Sequence, residues 1–492
     1  MQITPENEEF FGLCLIILTF GLTYSTKMIK IKHFKDLRLP ARASISYTVA
    51  AALSKAAGLL FTPIFTRTMS AEDYGGFTLY ITVLGLCTVV CTSLTSGGAM
   101  YKGYGVFRSE RQVLTGSALG LSITAALPIC LLVLLLGGVV GVAPWLVPFL
   151  FLQLVCDSAI SARLAELRYL YSYREAAWLT VLTSLGTPLL SLFLIEVMDG
   201  TLARVIGLLS VSAVAAFPTL FGAVRHGLKN SKAWAHLMKY SLPMLPNALA
   251  SSVIAQADKL ILAAYLGKEA LASYAVAHSI GIGLTFVTAS LGAALQPWMM
   301  RKLAAGEKDQ LCRTVLDIST GLGALTVAVV ALAPEALGIL TPSAYASALP
   351  AILPIALSVL PNFTLSVLAI ICVHREKPSL SSVSTLSGAL VNILANLILT
   401  PRLLYFGAGV SLLSAYVFAN VLCFALISKR VSLGGRYPFR IALIFGFTTV
   451  FSLAATALYS SLPARLALLI LPALALARAA RSASGYVSEV RG

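Results

Sequence analysis

Several ionisable side chains stand inside apolar stretches of membrane length in this 492-residue chain, and four of them are Lys55, Asp258, Lys259 and His278. Such groups are costly in lipid, and they usually mark a route for ions or polar substrates. A lysine can bind an anionic group, an aspartate can accept hydrogen bonds, and a histidine can carry a proton near neutral pH. The residues therefore indicate non-covalent binding of a polar substrate, and we assign no catalytic residue.

Lys55 is the clearest candidate of the four. It lies roughly 18 Å into the first apolar span at 1.5 Å per residue, near the middle of a hydrocarbon core about 30 Å thick. It shares one helix face with residues at three- and four-residue spacing, namely Ser44, Thr48, Ala51, Gly58 and Thr62. A small, polar face with a central cation predicts a wet route that meets an anionic headgroup. The alternative is a lysine that is neutralised or paired with a neighbouring helix.

Asp258 belongs to a similar face in the seventh span, together with Asn247 and Ser251. It lies about 25 Å along the helix, in the outer leaflet. We interpret it either as a cavity or gate group or as one half of a structural ion pair. Lys259 points about 100° away, so we expect no direct bridge to Asp258 and expect its ammonium to reach outward.

A third polar stripe runs along the eighth span, and small or polar stripes of this kind line cavities or make ordinary helix contacts. Its substrate-cavity candidates are Tyr274, His278, Thr285 and Gln296. His278 could carry a coupled proton or could be a hydrogen-bonded packing residue. Charged gate candidates are Arg67, Asp157 and Lys259; Asp157 precedes Arg163, Glu166 and Arg168, which predicts an interfacial charge network or an inner gate.

Fourteen predicted helices must position these residues. Most of the 36 lysines and arginines fall on every second loop between them. This bias predicts that the basic loops, the segment before the first span and the C-terminus are cytoplasmic. The spans are predicted at 43–65, 76–99, 113–137, 142–162, 176–197, 203–224, 241–266, 270–299, 314–335, 347–372, 380–400, 404–427, 439–459 and 463–478.

The composition is 58% hydrophobic and only 11% charged, far from that of a soluble domain. The net charge of +16 is explained by inner loops that face anionic lipid, so we predict no nucleic-acid partner. The eight cysteines show no metal-ligand spacing, and no metal or cofactor is expected. No outer loop is long enough to carry catalytic groups, which argues against an integral-membrane polymerase or ligase.

The first 42 residues precede the repeated spans. They contain a short apolar segment, Phe10 to Ser25, with acidic residues before it and lysines after it. This charge order is the reverse of that in a signal peptide. The segment is either an additional span or an amphipathic segment on the inner surface.

An internal repeat divides the spans into two halves. Met69 to Phe77 aligns with Leu266 to Tyr274, and each segment leads into the second span of its half. Parallel repeats of this kind enclose a substrate site between them. We therefore predict an all-α integral membrane fold with an N-terminal extension (1–42), an N-lobe (43–224), a linker (225–240), a C-lobe (241–427) and two C-terminal spans with a tail (428–492).

The same segments resemble the polysaccharide transporter (Wzx-type) branch of the multidrug/oligosaccharidyl-lipid/polysaccharide (MOP) flippase superfamily. The resemblance rests on Ser44-Ile-Ser-Tyr47, Pro63-Ile-Phe-Thr-Arg67, Ser70-Ala-Glu-Asp-Tyr74-Gly75, Tyr240-Ser-Leu-Pro243-Met-Leu-Pro246, Asp258-Lys259-Leu-Ile-Leu, Tyr265-Leu-Gly267, Tyr274-Ala-Val-Ala and Gln296-Pro297-Trp298. It covers spans 1–2 and 7–8 by motif and the rest by topology. One departure is Lys259, where the family usually has arginine.

The resemblance implies a substrate and a location. The expected activity is translocation of polyprenyl-diphosphate-linked oligosaccharide across the bacterial cytoplasmic membrane by alternating access, with proton or sodium coupling as an option. Expected partners are the lipid-linked oligosaccharide, membrane lipids, and the polysaccharide polymerase and chain-length machinery. A lipid II flippase is the alternative, and a cation-coupled multidrug antiporter is a further one that the midspan Lys55 disfavours.

Overall fold

The computed structural model describes residues 39–95, 97–107, 110–428 and 437–478. The apolar segment Phe10 to Ser25 and the C-terminal tail lie outside these residues. Within them, all regular secondary structure is helical, as lipid requires of a chain whose backbone groups have no other hydrogen-bond partners.

Besides three short 3₁₀ helices and a helical stretch at 470–478, the described residues contain seventeen α-helices, which are numbered here in chain order. They are α1 (Leu39–Thr68), α2 (Ala71–Ser93), α3 (Gly97–Val106), α4 (Arg111–Val140), α5 (Val147–Tyr169), α6 (Tyr173–Ile195), α7 (Gly200–His226), α8 (Ser231–Ser241), α9 (Leu245–Gly281), α10 (Thr285–Ala304), α11 (Lys308–Ala331), α12 (Ala333–Leu340), α13 (Leu349–Leu357), α14 (Val359–His374), α15 (Pro378–Ser428), α16 (Tyr437–Ala457) and α17 (Leu462–Leu468).

Ten segments of the described chain are long and apolar enough to cross a membrane, by length and composition. Two of them contain a sharp bend. Helix α9 turns at Gly267 (φ 83°, ψ −179°), and the 51-residue α15 turns at Leu404 (φ 52°, ψ −130°). Both bends fall between spans that the sequence predicted as separate. The count of fourteen crossings stays a prediction.

Each half of the chain packs mainly against itself. In the N-terminal half, α6 lies against α1 and α7, and α5 lies against α4 and α7. In the C-terminal half, α15 packs along α9, α13 and α14. Helix α16 packs on α11, so the C-terminal helices extend the second half.

The longest contact between the halves joins α2 to the first part of α9. Ser252 Oγ of α9 donates to the carbonyl of Gly85 (3.2 Å), and Ser241 Oγ, at the end of the preceding helix α8, donates to the carbonyl of Ser93 (2.9 Å). Further along, a Cβ on Gly75 would collide with the carbonyl of Lys268. Glycine is therefore required where the backbone of α2 meets the bend of α9.

A second contact between the halves joins α1 to α12. Thr66 Oγ1 donates to the carbonyl of Leu340 (2.7 Å), and Arg67 Nη2 donates to that of Ile339 (2.9 Å). Tyr74 meets Tyr345 edge-on nearby, with ring centroids 6.4 Å apart. We call these six residues the end seal; they lie at the end of the bundle that the charge bias assigns to the outside.

The other end of α12 is held by the C-terminal helices. Arg465 is 3% exposed and forms a two-bond ion pair with Glu335, at 2.6 and 2.8 Å. Tyr459 OH donates to the carbonyl of Val330 (3.1 Å). Helix α12 therefore connects the last two helices to the end seal.

Candidate functional site

One face of α9 is polar and accessible at the predicted inner end. Asn247 is half-buried and Ser251 is exposed. Exposed positions in the long helices elsewhere are commonly Leu, Val or Phe, as expected for surfaces that face lipid. Ser251 is an exception: it is exposed and polar, and its hydroxyl donates to the Asn247 carbonyl (3.0 Å).

The same face closes at Asp258, which has no exposed area. The bend at Gly267 brings the second part of α9 back over it. Tyr274 OH donates to Asp258 Oδ2 at 2.5 Å, and the backbone N–H of Lys259 donates to Oδ1 at 2.9 Å. Hydrogen bonds to a carboxylate of this kind are short and strong. Asp258 therefore lies at the closed end of the polar face and lines no opening in this conformation.

His278 completes the cluster around Asp258. Its Nε2 lies 3.8 Å from Asp258 Oδ2, beyond hydrogen-bonding distance, and the ring is buried. The sequence placed Asp258, Tyr274 and His278 on two separate stripes. The structure brings them together because the bend makes two parts of one helix into neighbours.

The ammonium of Lys259 turns back along its own helix. It donates to the carbonyl of Ala255 (3.2 Å) and to Gln256 Oε1 (3.0 Å). We expected it to reach outward, but two acceptors lie within its range on the preceding turn. Its hydrogen bond to Asp258 comes from the backbone, which agrees with the angular separation of adjacent helical residues.

The Lys55 position belongs to α1, but its side chain lies outside what the structure describes. On the same predicted face, Gly58 is exposed and Thr62 is buried, with its hydroxyl bonded to the Gly58 carbonyl (2.8 Å). Arg67, at the end of this helix, is part of the end seal. The anion-binding role of Lys55 stays a prediction.

The predicted stripe of the eighth span is interrupted. A 3₁₀ turn at Ile282–Leu284 separates Tyr274 and His278 on α9 from Thr285 and Gln296 on α10. The Thr285 hydroxyl donates a hydrogen bond to the Ile282 carbonyl (2.7 Å), and Gln296 is exposed. Whether this stripe lines a cavity or makes helix contacts stays a prediction.

Asp157 lies apart from the ion pairs that the sequence placed beside it. Arg163 bonds Glu166 (2.9 Å) and Glu175 (3.1 Å). The Asp157 Oδ1 instead accepts from Gln153 Nε2 (2.8 Å), and this amide also donates to Ser212 (2.9 Å). Asp157 lines a cleft of about 360 Å³ within the N-terminal half.

Arg204 was not among the residues that the sequence singled out. The structure places its guanidinium over the rings of Phe65 and Phe77, at 4.1 and 3.8 Å from their centroids, and 5.5 Å from that of Tyr74. Cation–π stacking of this kind holds α1, α2 and α7 together beside the end seal. Its position near the start of α7 gave no sign of these partners.

Comparison with known families decides the identity of the chain. Residues 41–303 match the family model described as "Polysaccharide biosynthesis protein", which is more than half of the sequence. This chain belongs to the polysaccharide biosynthesis protein family. Residues 243–398 of this family member also match the MatE model. No curated protein matches the chain.

Solved structures of other transporters share the fold of this polysaccharide biosynthesis protein. Lipid II flippase MurJ in an inward closed conformation matches with a TM-score of 0.65 at 14% identity, over 88% of this chain and 97% of that one. An inward-facing multidrug resistance MATE transporter of the MOP superfamily matches with a TM-score of 0.59 at 12% identity, over 81% and 95%. An outward-facing one gives 0.55 at 13% identity, over 82% and 96%.

These matches confirm the resemblance to the MOP superfamily and the all-helical transporter fold. The structural relatives are transporters rather than enzymes, and this family member is a multi-pass membrane protein with a flippase-type fold. At these identities the structures describe the fold alone.

Proposed function

We propose that this protein flips polyprenyl-diphosphate-linked oligosaccharide from the inner to the outer leaflet of the cytoplasmic membrane by alternating access. The observation that carries the proposal is the end seal, in which α1 of the first half bonds to α12 of the second. Together with membership of the polysaccharide biosynthesis family, it supports a transporter held closed at its outer end.

The polar face of α9 supplies the inner entrance in this proposal. Exposure is greatest at Ser251 and falls to zero at Asp258. A headgroup that entered from the inner side would meet Asn247 and Ser251 first. The lipid tail would remain in the bilayer, where it carries no desolvation cost.

A cation is needed to hold the diphosphate, and Lys259 supports this step. Its ammonium donates to two neutral acceptors, Ala255 and Gln256, and we propose that an anionic headgroup replaces them. We propose Lys55 as the second cation, on the opposite half. Lysine is a common point-charge ligand of phosphates.

The Asp258 cluster is proposed as the closed end of the route. When the halves rock apart at the outer end, α2 must leave the bend of α9, where Gly75 meets Lys268. Asp258 lies nine residues before this bend and Tyr274 lies seven residues after it, so their hydrogen bond spans the bend. We propose that it keeps the two parts of α9 together as one body during the movement.

A lipid II flippase is the second candidate, supported by the fold likeness to lipid II flippase MurJ. Both substrates offer a polar glycan on a lipid, so the observations on α9 and the end seal suit both. The family match favours the polysaccharide substrate.

The two candidates differ in what their loss does to the cell. We expect deletion of the gene to abolish the surface polysaccharide and to leave its lipid-linked repeat unit at the inner face, with recovery when the wild-type chain is supplied. Arrest of cell-wall synthesis with accumulated lipid II would support the second candidate. Unchanged surface polysaccharide and unchanged cell wall would refute both.

A further inference from the structure

The cleft in the N-terminal half has the chemistry of a glycan site. Its volume of about 360 Å³ falls in the range of small-molecule pockets, roughly 300–1,000 Å³. Helices α2, α3 and α5 meet there and contribute polar, aromatic and apolar side chains. The lining residues are Thr88, Thr92, Tyr101, Asp157, Ile160, Ser161, Leu164, Ala165 and Arg168.

The charges of this lining argue for a neutral ligand. The two charged residues, Asp157 and Arg168, are of opposite sign. The Asp157 carboxylate would repel a diphosphate, whereas Arg168 would repel a simple cation. A sugar ring carries hydroxyls that can donate to the carboxylate and accept from hydroxyl or guanidinium groups.

The Asp157 carboxylate is held in place for such a role. Gln153, which is 1% exposed, donates one amide hydrogen to it and the other to Ser212 on α7. The Thr88 hydroxyl lies close to the carboxylate but makes no hydrogen bond of normal geometry. The carboxylate is therefore fixed at the lining of the cleft, where a ligand hydroxyl could donate to it.

One side of the cleft is apolar and one is aromatic. Ile160, Leu164 and Ala165 supply apolar surface, and Tyr101 supplies a ring at the edge. Tyr101 also stacks with Tyr169, with centroids 6.5 Å apart, which limits its movement. A sugar has the matching character, because its hydroxyls are polar while its C–H faces are not.

We propose that this cleft binds a sugar of the lipid-linked substrate, with Asp157 as the acceptor of its hydroxyl hydrogens. The inference rests on the proposed function, because it takes the glycan to be part of the cargo. It makes Asp157 a specificity residue instead of the gate residue that the sequence indicated. The cleft would recognise the glycan, while the lysines of the route hold the diphosphate.

The test compares two probes on the purified full-length protein. They are undecaprenyl diphosphate and the undecaprenyl-diphosphate-linked repeat unit extracted from the same cells, with binding measured by the shift in thermal unfolding midpoint. We expect the wild-type chain to bind the glycosylated lipid about tenfold more tightly, as one charge-assisted hydrogen bond would provide. Asp157→Asn is expected to remove this preference and leave binding of undecaprenyl diphosphate unchanged.

Two further variants keep the result interpretable. Ser161→Leu fills the cleft without a change of charge, and it should also remove the preference, even if Asp157→Asn fails to fold. Glu110→Gln removes an exposed carboxylate outside the cleft and should behave as wild type.

An unchanged preference in Asp157→Asn and Ser161→Leu would overturn the glycan site. Loss of binding to undecaprenyl diphosphate in these variants would assign the cleft to the diphosphate and overturn it too. Wild-type protein that binds neither lipid would refute the proposed function and this inference with it.

Discussion

The hydroxyl of Tyr274 donates to Asp258 Oδ2 at 2.5 Å, across the bend that Gly267 makes in α9. Both side chains are fully buried. A buried carboxylate is costly unless it is hydrogen-bonded, so this contact fixes how the two parts of the helix lie together.

Tyr274→Phe should therefore destabilise the protein. Loss of a hydrogen bond to a charged group costs about 1.5–3 kcal/mol. Tyr80→Phe is the matched control, because Tyr80 is as deeply buried but its hydroxyl has no hydrogen-bond partner among the described residues. Unfolding of the purified variants by heat or denaturant measures the difference. Equal losses for the two variants would show that the bond to Asp258 contributes nothing.

Gly75→Ala should prevent the outer ends of the two halves from closing. The new Cβ would collide with the Lys268 carbonyl, and a backbone atom cannot rotate away. We expect surface polysaccharide to fall at least about tenfold, as a steric cost above 1.4 kcal/mol implies, at equal amounts of protein in the membrane.

Gly446→Ala is the control for this substitution. Gly446 is also helical, in α16, but a Cβ there meets nothing within 4 Å. Alanine is the better helix former by about 1 kcal/mol, so Gly446→Ala should be neutral or stabilising. Full export by Gly75→Ala would mean that the contact between α2 and the α9 bend is not needed for transport.

Glu335→Ala should be among the more destabilising single substitutions. It leaves the buried guanidinium of Arg465 without its carboxylate, and removal of one partner of a buried pair costs about 3–5 kcal/mol. The exposed pair of Arg163 and Glu175 gives the comparison, since Glu175→Ala should cost about 1 kcal/mol or less. Denaturant unfolding of both variants is the measurement. A smaller loss for Glu335→Ala than for Glu175→Ala would contradict a structural role for the buried pair.

The sequence was sufficient for the fold class, because helical spans in lipid follow from composition and charge. It also separated the spans on either side of Gly267 and Leu404. Periodicity groups residues on one face of one helix, and it found Asn247, Ser251 and Asp258 in this way. It carries no information about which faces meet, so the contact of Asp258 with Tyr274 could not be foreseen.

The roles of Arg204 and Arg465 were missed for a related reason. Both lie near span ends, where an arginine is expected to reach the interface. Arg204 stacks on Phe65 and Phe77, and Arg465 pairs with Glu335, a residue 130 positions away. Such partners are distant in sequence, and only the packing of the helices selects them. The error at Asp157 has a different cause. The charged residues that follow it along the helix suggested that it takes part in an ion-pair network, but Arg163 pairs with Glu166 and Glu175, and Asp157 bonds Gln153.

The central claim is that the outer ends of the two halves must separate during transport. The most direct measurement is export of surface polysaccharide by the double variant Tyr74→Cys/Tyr345→Cys, in cells that depend on this chain. A short reducible thiol cross-linker joins the two cysteines, which replace rings 6.4 Å apart in the end seal. Each single variant with the same reagent is the control. The account predicts that the bridge stops export and that reduction restores it, whereas undiminished export from the bridged protein would contradict it.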